Sequence, residues 1–194
     1  MKRVDFFFDF VSAYSYLAAT QLPELARRTG ATVVWRPFVL GAVMKATGND
    51  SPARVPNKAR WISQDVQRWA AHYGIPYHMP SHFPLNTIKA LRLVLVDEKQ
   101  AEATALAAFR ALWAEDRNIA DEPELRRIAE AGGLDATAAL AAIEDVRIKD
   151  KLRANTDEAI ARGAFGAPTL VVDEQLFWGN DRLHFVEAAL KQQG

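Results

Sequence analysis

The first thirty-six residues set the handedness of the fold this chain can adopt. An apolar run, Val4-Asp5-Phe6-Phe7-Phe8-Asp9-Phe10, leads into Ser12-Ala13-Tyr14-Ser15 and then into a helical pattern. Consecutive Phe and Val suit a strand buried on both faces, so a β-strand is predicted from about Lys2 to Phe10. A helix follows from about Ala13 to Arg28. Leu17, Ala18, Leu22, Leu25 and Ala26 share its apolar face, Pro23 should kink it, and Gly30 stops it. Ala31 to Arg36 reads as a second strand. In a β-α-β unit the crossover is right-handed, which makes the two strands parallel.

From about Gly41 to Arg147 the pattern is helical. Ile62, Val66, Trp69 and Tyr73 keep helical spacing, and Gly74 with Pro76 ends that segment. Further helices are predicted over Asn86 to Val96 and Glu98 to Ala114, with N-cap signals at Asp121 and Asp135. Trp61, Trp69 and Trp113 read as core residues. A helix from Lys149 to Arg162 ends at Gly163. Pro168 to Val172 and Gln175 to Trp178 then form an antiparallel hairpin. Asn180 or Asp181 should cap a last helix reaching Leu190. The predicted fold class is α/β: a thioredoxin-like domain (residues 1–40 plus 149–194) interrupted by a helical insertion domain (residues 41–148).

Composition narrows the function classes. Lysine plus arginine and aspartate plus glutamate each number 24, and no basic run exists, which argues against nucleic acid and anionic membranes as partners. The N-terminal apolar stretch is short and carries Asp5 and Asp9, so it reads as a strand rather than a signal peptide. The chain has no cysteine, which excludes disulfides and zinc–thiolate sites. These features favour a soluble cytoplasmic protein.

Ser12 follows the first strand and opens a helix, where free N–H groups and the helix dipole favour an anion. Capping is the plain alternative role for a serine there. No G-x-S-x-G elbow surrounds Ser12, and His72, His78, His82 and His184 read as surface or loop residues, so Ser12 is not predicted to be a nucleophile. Ser15, one turn on, reads as structural.

Five motifs occur in order along the chain: Asp9-Phe-Val-Ser12-Ala-Tyr-Ser15-Tyr-Leu, Arg36-Pro37-Phe38, Thr47-Gly48-Asn49, Phe165-Gly166-Ala167-Pro168-Thr169 and Phe177-Trp178-Gly179-Asn180-Asp181-Arg182. With them the chain resembles 2-hydroxychromene-2-carboxylate isomerases and kappa-class glutathione transferases, relatives of the DsbA-type thioredoxin fold. Serines stand where thiol–disulfide oxidoreductases of that fold carry C-x-x-C. Ala13 replaces the proline that usually follows the active serine.

The resemblance implies glutathione as cofactor and Ser12 as the residue that hydrogen-bonds its sulfur. An ordinary thiol is only a few per cent ionised at neutral pH. Lowering its pKa from about 8.5 to about 6.5 takes about 2.7 kcal/mol, within reach of a helix dipole plus a charge-assisted hydrogen bond. The resemblance further implies a cis Ala167–Pro168 bond that turns the Ala167 N–H and C=O toward the glutathione backbone. Trp178, Gly179, Asn180 and Asp181 would take its γ-glutamyl end, with Asp181 on the ammonium, and Asn49 its peptide part. Lys45, then Lys58, are candidates for the cation facing the substrate carboxylate, and Asn86 for the second-substrate pocket. The plainer roles are a trans proline opening an edge strand at Pro168, a helix cap at the Trp178 to Asp181 turn, and a solvated surface lysine at Lys45 and Lys58.

The implied reaction is a glutathione-dependent cis–trans isomerisation of 2-hydroxychromene-2-carboxylate to trans-o-hydroxybenzylidenepyruvate, in naphthalene-type aromatic catabolism, by a homodimer. The alternatives are a kappa-class-like transferase that conjugates electrophiles and a non-catalytic binding protein on the same scaffold.

Overall fold

In the computed structural model, which describes residues 2–192, strand β1 (Arg3–Phe8) pairs in parallel with β2 (Thr32–Pro37), Arg3 opposite Thr32 and Phe8 opposite Pro37. On its other edge β1 takes β3 (Thr169–Val172) antiparallel, and β3 turns back into β4 (Gln175–Trp178). The strand order is β2-β1-β3-β4. β1 stops at Phe8, two residues before the predicted end. Beyond it the Asp9 carboxylate accepts the Val11 N–H (3.2 Å) and the Asp9 carbonyl accepts the Ser12 N–H (3.0 Å), which turns the chain out of the sheet.

Val4 to Phe8 are all buried, as a strand covered on both faces requires. The period-2 alternation of side chains divides the phenylalanines between two cores. Phe6 and Phe8 pack with Trp35, Leu22 and Phe109, whereas Phe7 packs with Phe38, Val43, Ala159 and Val171.

Helix α1 (Ala13–Thr29) runs through Pro23 and ends at Gly30, whose φ of 67° lies in the left-handed region that glycine occupies freely. The segment between β2 and β3 is helical: α2 (Leu40–Thr47), α3 (Pro56–Tyr73), α4 (Ile88–Val94), α5 (Ala101–Trp113), α6 (Glu122–Ala131), α7 (Ala136–Ala142) and α8 (Val146–Ala161). Asp135 caps α7 through the Ala138 N–H. Asp121 precedes α6, but its carboxylate accepts from Asn118 instead of the helix. α8 starts three residues before Lys149 because Asp145 caps it through the Arg147 N–H.

α9 (Leu183–Gln192) follows a single 3-10 turn over Asn180–Arg182. Neither Asn180 nor Asp181 caps it, since their side chains turn to Tyr73 and Arg182. Trp113 is core, donating its Nε1–H to the Phe10 carbonyl at 2.8 Å. Trp61 is not: it is 56% exposed, one position off the α3 face that carries Ile62, Val66, Trp69 and Tyr73 against α1. Together these elements make the expected α/β thioredoxin-like fold with its helical insertion. No described helix is long and apolar enough to cross a membrane.

Candidate active site

Ser12 is the N-cap of α1. Its Oγ accepts the Ser15 N–H at 3.1 Å and donates its proton to the Ala167 carbonyl at 3.1 Å. The Ala13 and Tyr14 N–H groups precede the first intrahelical bond and take no acceptor among the described residues, so two donors stand at the positive end of a 17-residue helix. Ser15 is fully buried, and its Oγ has no hydrogen-bond partner.

The Ala167–Pro168 bond is cis, as the resemblance implies. No acceptor among the described residues takes the Ala167 N–H. Ala167 therefore presents one free donor beside a carbonyl engaged by a hydroxyl, the pairing edge that a peptide backbone requires. Asn49, just past α2, donates its Nδ2–H to the Phe165 carbonyl at 2.8 Å and so reaches the same loop. Trp178 ends β4 half-exposed and packs against Phe165, with ring centroids 5.1 Å apart and planes inclined at 48°. Its indole covers Gly166 so closely that a Cβ there would lie 2.6 Å from Nε1. The Gly179 N–H donates to the Pro168 carbonyl at 3.0 Å, which ties this end of the hairpin to the cis bond.

Asn180 and Asp181 face a groove of about 290 Å³ between α1, α3 and α9, lined also by Trp69, Tyr73 and His184. The Asn180 side chain is buried and meets the Tyr73 hydroxyl. Asp181 is paired with Arg182 at 2.7 Å, so its charge is already partly compensated. Lys45, in the last turn of α2, and Lys58, in the first turn of α3, are exposed and engage no acceptor among the described residues. Asn86 is exposed, and its Oδ1 accepts the Ile88 N–H at 3.0 Å at the start of α4. All four histidines are exposed.

Two features were not read from the sequence as parts of the site. Asp9, 3% exposed, accepts from Val11 N–H, from Leu40 N–H at 3.0 Å and from Thr87 Oγ1 at 2.7 Å. One carboxylate thus joins the Ser12 turn, the start of α2 and the segment before α4, the three stretches that carry Ser12, Lys45 with Asn49, and Asn86. Burial pushes its pKa above the ordinary value even though every partner is a donor. The second feature is Tyr14, whose hydroxyl donates to Asp65 of α3 at 2.9 Å. Burial and the Asp65 carboxylate raise the Tyr14 phenol well above its ordinary pKa, so it stays protonated. The presence of Asp9 within a motif was the available signal for the first. Nothing in spacing pairs Tyr14 with a residue 51 positions away.

Residues 3–191 match the DsbA-like thioredoxin domain. The chain is 40% identical over 191 residues to the 2-hydroxychromene-2-carboxylate isomerase of Sphingobium xenophagum, covering 97% of this chain and 98% of that protein. The chain belongs to the 2-hydroxychromene-2-carboxylate isomerase family of DsbA-like thioredoxin proteins. A solved structure of a 2-hydroxychromene-2-carboxylate isomerase superposes with a TM-score of 0.90 at 32% identity, covering 98% of this chain and 95% of that one. Glutathione S-transferase kappa 1 of Caenorhabditis elegans is 30% identical over 208 residues, covering 99% and 92%.

For an isomerase-family chain the site has a specific chemical consequence. Thiol–disulfide exchange needs a thiolate in the protein, and this chain has no cysteine. What remains at the head of α1 is a hydroxyl, free N–H groups and a peptide-pairing edge, which together suit an anionic sulfur carried by a peptide.

Proposed function

We propose that this protein is a glutathione-dependent isomerase that converts 2-hydroxychromene-2-carboxylate to trans-o-hydroxybenzylidenepyruvate. The observation that carries this function is the Ser12 hydroxyl, 3.1 Å from the carbonyl preceding cis-Pro168, at a helix N-terminus in a chain without cysteine. Glutathione fits the residues present, because Ala167 has an unpaired N–H beside its carbonyl and α1 has unpaired first-turn donors.

Glutathione when bound supplies a thiolate able to add reversibly to a conjugated double bond, which lets the former double bond rotate. Everything else falls to the chain. Ser12 and the Ala13 and Tyr14 N–H groups hold negative charge at the head of α1. Ala167 and Asn49 orient the peptide, and the turn at Trp178 to Asp181 receives its far end. Asp181 shares its charge between Arg182 and the ammonium. Lys45 or Lys58, each with a free ammonium, faces the substrate carboxylate. Tyr14 remains a neutral phenol and takes no part in proton removal.

Incubation with substrate and glutathione tests this. The trans product should accumulate while free glutathione is recovered in full, and turnover should vanish without it. The 30% identity to a kappa-class transferase favours one other reading, conjugation. Stoichiometric loss of glutathione to a stable conjugate would establish that reading instead.

A further inference from the structure

We infer that the Ser12–Ala167 hydrogen bond makes thiolate stabilisation conditional on a peptide N–H in the ligand, so that the site discriminates peptide thiols from simple ones. The inference rests on the glutathione reading above. A serine hydroxyl carries a single proton. Here the Ser12 oxygen already accepts the Ser15 N–H, and its proton is committed to the Ala167 carbonyl. In that arrangement Ser12 presents no donor to a sulfur.

The carbonyl holding the proton is also half of the edge on which a peptide would pair. When a ligand N–H reaches the Ala167 oxygen, the carbonyl is satisfied without Ser12. The hydroxyl proton can then rotate about the Cβ–Oγ bond, with the oxygen in place and still accepting from Ser15 N–H, and turn to the sulfur. The thiol S–H bond breaks, its electron pair stays on sulfur and its proton goes to solvent; no other covalent bond changes. A thiol lacking the amide leaves Ser12 on Ala167 and has only the first-turn N–H groups and the helix dipole to lower its pKa. The Ala167 carbonyl is thus a positioning group that acts through Ser12, and backbone recognition and sulfur activation become one event.

The test uses two ligands and two proteins. The ligands are glutathione and its ester isostere, in which oxygen replaces the N–H between γ-glutamate and cysteine. The proteins are the wild type and Ser12→Ala. Binding is followed by tryptophan fluorescence, and the bound thiol is titrated by thiolate absorbance. With glutathione, Ser12→Ala should raise the bound thiol pKa by about one unit, a tenfold loss of thiolate below it. With the isostere the two proteins should agree within about twofold. The isostere should bind within about tenfold of glutathione, because Ser12 keeps the carbonyl satisfied.

An equal effect of Ser12→Ala with both ligands overturns the conditional mechanism and leaves the glutathione reading standing. So does loss of isostere binding by more than a hundredfold, since the carbonyl would then depend on the ligand alone. An unshifted glutathione thiol in the wild type overturns both.

Discussion

Asp5 and Asp9 lie four residues apart, one in β1 and one just beyond it, both nearly inaccessible, and the protein holds them in opposite ways. Asp5 accepts from three guanidinium groups: Arg3 at 2.7 Å, Arg36 at 2.6 Å and Arg162 at 3.1 Å. Burial alone would raise its pKa, but these cations outweigh burial and hold it below the ordinary value. Asp9 has only neutral donors, and its pKa is raised. A cage of charges acts over several ångströms and tolerates movement. N–H and O–H dipoles work only at hydrogen-bond distance, so a carboxylate held by them fixes its partners in place. The dipole-held residue is the one beside Ser12. The charge-held one braces β1, β2 and α8, away from the site.

The largest effect that could break this contrast comes from Asp9→Ala. It strands the buried Leu40 N–H and Thr87 hydroxyl together with the partly buried Val11 N–H, and should cost about 3–5 kcal/mol in urea unfolding, with loss of turnover. Asp5→Asn should cost only about 1–2 kcal/mol, because Arg36 and Arg162 keep Glu158 and remain partly solvated, and turnover should persist. Equal losses would erase the distinction between the two carboxylates.

Ser12→Ala should lower turnover about 10–100-fold. It should leave glutathione half-saturation nearly unchanged and cost about 1 kcal/mol of cap energy. Unchanged turnover would remove Ser12 from the chemistry.

The pH dependence of stability should separate the carboxylates further. Asp5 has a depressed folded pKa, so its contribution is present above the ordinary value of 3.8 and lost as pH falls through the lower one. Asp5→Asn should flatten that acid loss in urea midpoints measured against pH. Asp9 has a raised folded pKa, so the folded state holds its proton longer and stability falls as pH rises from about 4 through the raised value. Asp9→Asn should abolish that fall. Gly166→Ala, which forces the Trp178 ring aside, should raise half-saturating glutathione a few-fold with a shift in tryptophan emission, while Trp61, far out on α3, contributes an unchanged background.

The strands, α1 and the helical insertion were legible because apolar period and glycine stops are local properties. Asp135 as a cap was legible for the same reason. What sequence missed depends on distant partners. The last two residues of the predicted β1 leave the sheet in the turn that Asp9 makes with Val11 and Ser12, and the Asp9 carboxylate in that turn also binds Leu40 and Thr87, 31 and 78 positions away. Asn180 looked like a helix cap and is instead committed to Tyr73, 107 positions back. Trp61 looked like core because aromatic residues usually are, and a single step around α3 exposes it. At the candidate site, the cis Ala167–Pro168 bond was anticipated from motifs, whereas the hydrogen bond from Ser12 to the Ala167 carbonyl, 155 positions apart, needed coordinates.

The claim on which the rest depends is that the head of α1 lowers the pKa of a borrowed thiol. The direct measurement is thiolate absorbance of glutathione at saturating wild-type protein, titrated across pH. A bound thiol ionising about two units below its free value near 8.5 is the predicted result. Saturable binding with the thiol still ionising near 8.5 would contradict the account.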